Sequence, residues 1–203
     1  MKYLGDVIGS MVVTIAILCC MGYMLGIEQL VAVVPGYVPM KMWTVFGLML
    51  AGIHCMLSAQ YRRTSIKDGP AFAIGLWLML LQIALISAAI IVLFCGHRFP
   101  FNKPGYTMHS LFQVPSLITA INLGIYGFIA VKPKYRVTGS YIMIWTGLRA
   151  LIGYALHIPE MYFQWQSNMT PVAVNTAFCL LLLGIYIRST VKCTVTKIWF
   201  IER

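Results

Sequence analysis

The sequence predicts an all-α polytopic membrane protein: six transmembrane helices arranged as three like-oriented hairpins, with both termini in the cytoplasm. Three observations carry that prediction. The 203 residues are 60% hydrophobic and only 10% charged, whereas soluble domains run near 25% charged. Six apolar stretches, at 7–27, 40–61, 71–94, 112–131, 140–158 and 171–189, match the roughly 20 residues a helix needs to cross a hydrocarbon core of about 30 Å. Basic residues are also strongly one-sided across those stretches.

Each span has its own justification. The first is too long for a signal-peptide core and lacks a small-residue cleavage pattern, so it is expected to stay as helix 1. Pro39 opens the second, and Asp68-Gly69-Pro70 caps the start of the third, with proline where its missing N–H costs nothing. The fourth follows Ser116, the fifth holds Arg149, and the sixth starts at Pro171. Connections are short, so residues 1–203 form one domain, with hairpins at approximately 1–63, 64–136 and 137–190 and a tail at 190–203.

Lys2, Arg62, Arg63, Lys67, Lys132, Lys134, Arg136, Arg188, Lys192, Lys197 and Arg203 share one side, and Lys41, Arg98 and Lys103 the other. This is the positive-inside pattern. It explains the net charge of +10 without nucleic acid and places both termini in the cytoplasm. Arg62, Arg63, Lys67, Lys132, Lys134 and Arg136 form a basic cytoplasmic rim suited to anionic membrane lipid or a separate protein partner. Assembly as a homo-oligomer is compatible with the same pattern.

An internal repeat underlies the hairpins. Pro39 to Thr44 leads after eight residues to Gly52-Ile-His54, and Pro171 to Thr176 leads after eight to Gly184-Ile-Tyr186. Helix 4 carries a weaker copy, Ser116 leading to Gly124-Ile-Tyr126. In the odd helices, Gly22-Tyr-Met-Leu-Gly-Ile-Glu28 echoes Gly153-Tyr-Ala-Leu-His-Ile-Pro-Glu160. Repeats of one orientation are related by an axis along the membrane normal, so a pseudo-threefold ring follows. Gly22-x-x-x-Gly26 reads as a small face for helix packing. Tyr61, Trp77, Trp145 and Tyr186 read as an inner aromatic belt, with Trp43, Tyr106, Tyr162 and Trp165 as an outer one.

Arg149 lies about ten residues into an apolar stretch. An arginine there costs about 2.5–3.5 kcal/mol on insertion scales unless a polar partner or wet cavity receives it. Asn122 and Gln82 fall at a similar depth, counting 1.5 Å per residue. One reading has the amides bonding across helices as glue. The other gathers Arg149, Asn122 and Gln82 into a mid-membrane site for a lipid-like or small anionic ligand.

No catalytic motif is legible. H-E-x-x-H and G-x-S-x-G are missing, and no paired intramembrane carboxylate serves proton coupling. His54 and His157 do not share a level, as a bis-histidine haem would need. His97, His109 and His157 could gather with Glu28 and Glu160 at the outer surface, but without metal-ligand spacing. The six cysteines show no C-x-x-C and behave as small hydrophobes. No cofactor is indicated.

The unit running from Pro171 through Asn175-Thr176-Ala177 to Gly184, with its variant from Pro39 to Gly52, resembles the six-helix membrane-embedded sensor modules (MASE-type) that precede bacterial histidine kinases and diguanylate cyclases. Gly22 to Ile27 and Gly153 to Ile158 are similar to the ends of their odd helices. The resemblance implies stimulus or ligand sensing in the bilayer and fixes no catalytic residue. Only fourteen residues follow Ser189, so the output is expected on a separate protein. The leading expectation is therefore a non-catalytic membrane sensor or scaffold subunit. The alternatives are a transporter, channel or membrane-permeabilising protein of phage or anti-phage type, and a haem- or quinone-binding electron-transfer subunit.

Overall fold

The computed structural model describes residues 3–32, 38–64, 69–94, 116–162 and 171–201, excluding the side chains of 63–64, 69, 85–94, 159 and 192–201. Every regular element among them is helical. In chain order these are α1 (Leu4–Leu25), α2 (Glu28–Ala32), α3 (Met42–Thr64), α4 (Gly69–Phe94), α5 (Leu117–Val131), a 3-10 turn (Pro133–Tyr135), α6 (Arg136–Ala155), α7 (Pro159–Tyr162) and α8 (Val174–Ile201).

Among the described residues, three segments are long and apolar enough to cross a membrane: Leu4–Leu25, Met42–Arg62 and Val174–Val191. Leu117–Val131 is a shorter apolar helix, and Pro70–Ala84 is the apolar part of α4 whose side chains are described. α6 falls outside this set because Arg136 and Arg149 sit among Thr138, Ser140 and Thr146. Large apolar side chains face outward, with Met24, Trp77 and Trp145 mostly exposed. Such a surface suits lipid rather than water, and the chain is a helical membrane protein.

The helices pair as the repeat suggests. α1 packs on α3, α4 on α5 and α6 on α8; α4 also meets α3, α6 meets α5 and α1 meets α8. α3 touches both α5 and α8. Glycines set the closest approaches. A Cβ at Gly52 would stand 2.9 Å from the Gly9 carbonyl oxygen, and one at Gly184 would stand 3.0 Å from the Ile144 nitrogen. In the second hairpin Gly127 makes such an approach, a Cβ there standing 2.7 Å from the Met79 nitrogen.

The matched odd-helix ends make one turn twice. Ile27 N–H donates to Gly22 O at 2.9 Å and Ile158 N–H to Gly153 O at 2.8 Å. The residue before each isoleucine is left-handed, Gly26 at φ 68° and His157 at φ 55°, the geometry of a Schellman stop. Tyr23 then donates to Met40 O at 2.5 Å and Tyr154 to Val172 O at 2.8 Å. Met40 N–H bonds Val31 O at 3.1 Å, and Val172 N–H bonds Tyr162 O at 3.2 Å. Two sequence matches change. Glu28 corresponds to Pro159, not Glu160, since each opens the short helix after the turn. Gly26 serves backbone conformation rather than packing, because a Cβ there would meet nothing within 4 Å.

Candidate functional site

The three even helices of the repeat, α3, α5 and α8, meet along a centre whose chemistry changes by level. Thr44, Ser116 and Thr176 occupy equivalent positions and are all buried. Next come Leu48, Ala120 and Leu180, then Ala51, Leu123 and Leu183, every one nearly or fully inaccessible. Below these apolar tiers, toward the basic end, the residues two places after each repeat glycine converge: His54, Tyr126 and Tyr186. They border a cavity of about 200 Å³ that also meets Ser58, Ala130 and Thr190. Those three stand four residues further along each helix and are again equivalent. Among the described residues, Arg62 and Arg136 complete the polar part of the lining, which contains no carboxylate.

Hydrogen bonds fix where the protons lie. Tyr126 Oη–H donates to Ala51 O at 3.1 Å, so the 2.9 Å contact between His54 Nδ1 and Tyr126 Oη has the imidazole as donor. His54 Nε2 then accepts from Ser58 Oγ–H at 3.2 Å. Tyr186 Oη–H donates to Cys55 O at 3.2 Å and accepts from Arg62 Nη2. Arg62 Nε donates to Ser58 O at 2.9 Å, and its guanidinium carbon stands 5.3 Å from the Tyr186 ring centre. Thr190 Oγ1–H donates to Ile187 O at 2.7 Å. The hydroxyl protons are thus committed to the protein, and the remaining Arg62 N–H groups are without a protein acceptor among the described residues.

His54, Ser58 and Arg62 share one face of α3 because they are spaced four residues apart. Tyr186 is buried at this site, which moves it out of the lipid-facing inner belt expected from sequence; Trp77 and Trp145 remain exposed as anchors would be.

The sequence-derived trio is not gathered by hydrogen bonds. Arg149 Nη2 donates to Glu160 O at 2.9 Å, beside the α6–α7 turn at the end opposite the cavity. The polar partner an embedded arginine requires is thus a backbone carbonyl. Asn122 Nδ2 donates within its own helix to Ile118 O at 2.8 Å, while its Oδ1 is buried without a partner. Gln82 is fully buried with neither amide atom hydrogen-bonded, and a Cβ at Gly47 would stand 3.0 Å from its Nε2.

The expected basic rim divides. Arg62 and Arg136 border the cavity, whereas Lys132 and Lys134 are exposed. The Arg63 side chain and all of Lys67 lie outside the described residues, as do His97 and His109. Among the described residues, no group of His, Cys, Asp and Glu could hold a metal ion. Cys19 and Cys55 donate weakly to Leu30 O and Gly5 O, as packed thiols do.

Sequence reasoning placed His54, Tyr126 and Tyr186 at one repeat position, weighed His54 against haem ligation and set Tyr186 in an aromatic belt, without bringing the three together. The available signal was their equivalence: three polar-tipped residues at one repeat position must meet if the repeats close into a ring. No family model, no curated protein and no solved structure matches the chain.

Proposed function

We propose that this protein is a non-catalytic membrane sensor or scaffold subunit that holds a small anion or an anionic headgroup in the cavity at its basic end. In this reading six helices span a bacterial inner membrane with both termini in the cytoplasm, and the cavity opens at the cytoplasmic headgroup level. One observation carries it: three hairpins contribute equivalent residues to a single cavity whose charged lining groups, among the described residues, are Arg62 and Arg136. Guanidinium forks suit oxyanions. The exposed Lys132 and Lys134 remain for a soluble partner or anionic lipid, in line with the resemblance to sensor modules. A conducting role is less favoured, because two tiers of buried apolar residues separate the cavity from the far end of the bundle.

The test is phosphate-analogue binding by the purified chain in phosphatidylcholine nanodiscs, read with the wild type, Arg62→Gln and Arg149→Gln. Saturable binding lost in Arg62→Gln and kept in Arg149→Gln supports the reading. Loss only in Arg149→Gln moves the ligand to the Arg149 end of the bundle and overturns it.

A second reading is favoured by the Ser58–His54–Tyr126 chain, which has the order nucleophile, base, orienting group. Its reaction class would be acyl transfer, with Arg62 stabilising an oxyanion. Stoichiometric labelling of Ser58 by a fluorophosphonate, abolished by His54→Gln, would support it; an unreactive Ser58 leaves the binding role.

A further inference from the structure

The hydrogen bonds around the cavity leave one basic nitrogen bare. Tyr126 Oη–H is spent on Ala51 O, and His54 Nδ1–H on Tyr126 Oη. Tyr186 Oη–H is spent on Cys55 O. His54 Nε2 therefore carries no proton, and among the described lining residues it is the one basic nitrogen with a lone pair to offer. It accepts from Ser58 Oγ–H at 3.2 Å. A second proton on the ring enters at Nε2 and reverses that bond. Nε2–H then donates to Ser58 Oγ, and the Ser58 proton turns into the cavity with no heavy atom displaced.

Charge opposes that proton while the cavity is empty. The groups bearing on the ring are Cys55 and Arg62 of α3, Tyr126 of α5, Arg136 of α6 and Tyr186 of α8, with Asp6 of α1 beyond Cys55. The described side chains of α4 include no titratable group. Arg62 and Arg136 are cations, so an imidazolium stands as a third positive charge, and the described lining holds no carboxylate to offset it. An anion in the cavity reverses the balance. It is attracted by the added charge, and it gains the freed Ser58 hydroxyl as a donor beside the remaining Arg62 N–H groups.

Resting on the anion-binding reading above, we infer that the cavity takes up its oxyanion together with one solvent proton, held at His54 Nε2 and relayed to the occupant as the Ser58 Oγ–H donor. The loaded and empty states differ by one bound proton. By linkage, affinity rises as pH falls, and the anion in turn stabilises the imidazolium. Arg136 contributes through its charge alone. A site of this kind reads anion and acidity at once, which suits a sensor subunit. An acid anion such as dihydrogen phosphate brings the same proton itself, so probes of constant charge are the informative ones. Such an oxyanion has two sources, a lipid headgroup and a soluble anion.

The experiment uses the full chain in phosphatidylcholine nanodiscs. Sulfate and dimethyl phosphate serve as probes, since both keep their charge between about pH 5 and 8, where histidine titrates. Titration calorimetry in buffers of different ionisation enthalpy counts the protons taken up with each anion. Uptake should approach about one proton, and affinity should tighten by up to about tenfold for each pH unit of acidification. His54→Gln should show no uptake and one affinity across the range, and Arg62→Gln should not bind. If His54→Gln does not fold, judged by circular dichroism, the combined variant His97→Gln, His109→Gln and His157→Gln must keep the uptake. Phosphatidylglycerol doped into the nanodiscs separates the two sources. Displacement of sulfate that strengthens in acid marks a lipid headgroup, and undisturbed proton-linked binding marks a soluble anion; each supports the inference. Arg62-dependent binding without proton uptake overturns it and leaves the anion site standing. Uptake that survives in His54→Gln, or vanishes in the combined variant, does the same. Absence of Arg62-dependent binding by both probes overturns the anion reading and this inference together.

Discussion

His54 and Tyr126 come from different hairpins and meet edge to face, with Nδ1 2.9 Å from the phenolic oxygen and ring planes 88° apart. Their bond is one link in a directed chain in which Ser58 donates to His54, His54 to Tyr126 and Tyr126 to Ala51 O. Chains of this kind fix a tautomer and hold an imidazole in one orientation. They also join α3 to α5 at the level where polar side chains replace the apolar core.

Tyr126→Phe is expected to destabilise the protein by about 1–3 kcal/mol, because it strands the His54 Nδ1–H in a buried place. His54→Leu alone should cost a similar amount. The double variant should cost less than the sum, with a coupling of roughly 0.5–3 kcal/mol. Denaturant unfolding of the four proteins in one detergent measures this. Strict additivity would mean the two rings do not share a hydrogen bond.

Gln82 presents the opposite case, a fully buried amide with no partner for either polar atom. Gln82→Leu conserves most of the volume and removes two unsatisfied groups, so it should stabilise by about 1–3 kcal/mol. A higher unfolding midpoint with unchanged ligand binding would assign Gln82 to neither glue nor site. Loss of stability would show that its amide finds a partner, such as the Asn122 Oδ1 atom, in the membrane.

Much of the architecture was legible because it rests on periodic, local signals. Apolar length marked the long helices, and the spacing from Pro39 to Gly52 and from Pro171 to Gly184 marked hairpins that pack alike. The echo between Gly22 to Ile27 and Gly153 to Ile158 was legible as a repeat, but the sequence reading assigned Gly26 to helix packing, whereas it serves a Schellman stop. The site was not legible. Depth along a helix is readable from sequence, but azimuth and side-chain reach are not, and Arg149 is long enough to leave its own level for the Glu160 carbonyl. His54, Tyr126 and Tyr186 stood in plain view as repeat markers. Their convergence depends on which face of each even helix turns inward, a tertiary property.

Close glycine approaches give a comparison across hairpins. Gly184→Ala would put a Cβ 3.0 Å from the Ile144 nitrogen and 3.1 Å from the Ser140 oxygen, and Gly127→Ala would put one 2.7 Å from the Met79 nitrogen. Backbone atoms cannot give way as a flexible side chain can, so each change should cost about 1–3 kcal/mol. Thermal unfolding with a fluorescent thiol probe on the buried cysteines reads both. A neutral Gly127→Ala would mean that α4 and α5 lie further apart than the other two pairs.

The two Schellman stops differ at a single informative residue. Gly26 holds φ at 68° without a side chain, whereas His157 holds φ at 55° with one, and a non-glycine residue in that region carries a strain of roughly 1–2 kcal/mol. His157→Gly should therefore raise stability, by somewhat less than that strain because glycine also loses more freedom on folding. Gly26→Ala should lower it by about 1 kcal/mol, although a Cβ there meets nothing within 4 Å. Opposite shifts of the unfolding midpoint, of comparable size, are the expected result. If His157→Gly instead destabilises the protein, the imidazole makes a contact at the outer surface that outweighs its backbone strain, and the equivalence of the two turns ends at the main chain.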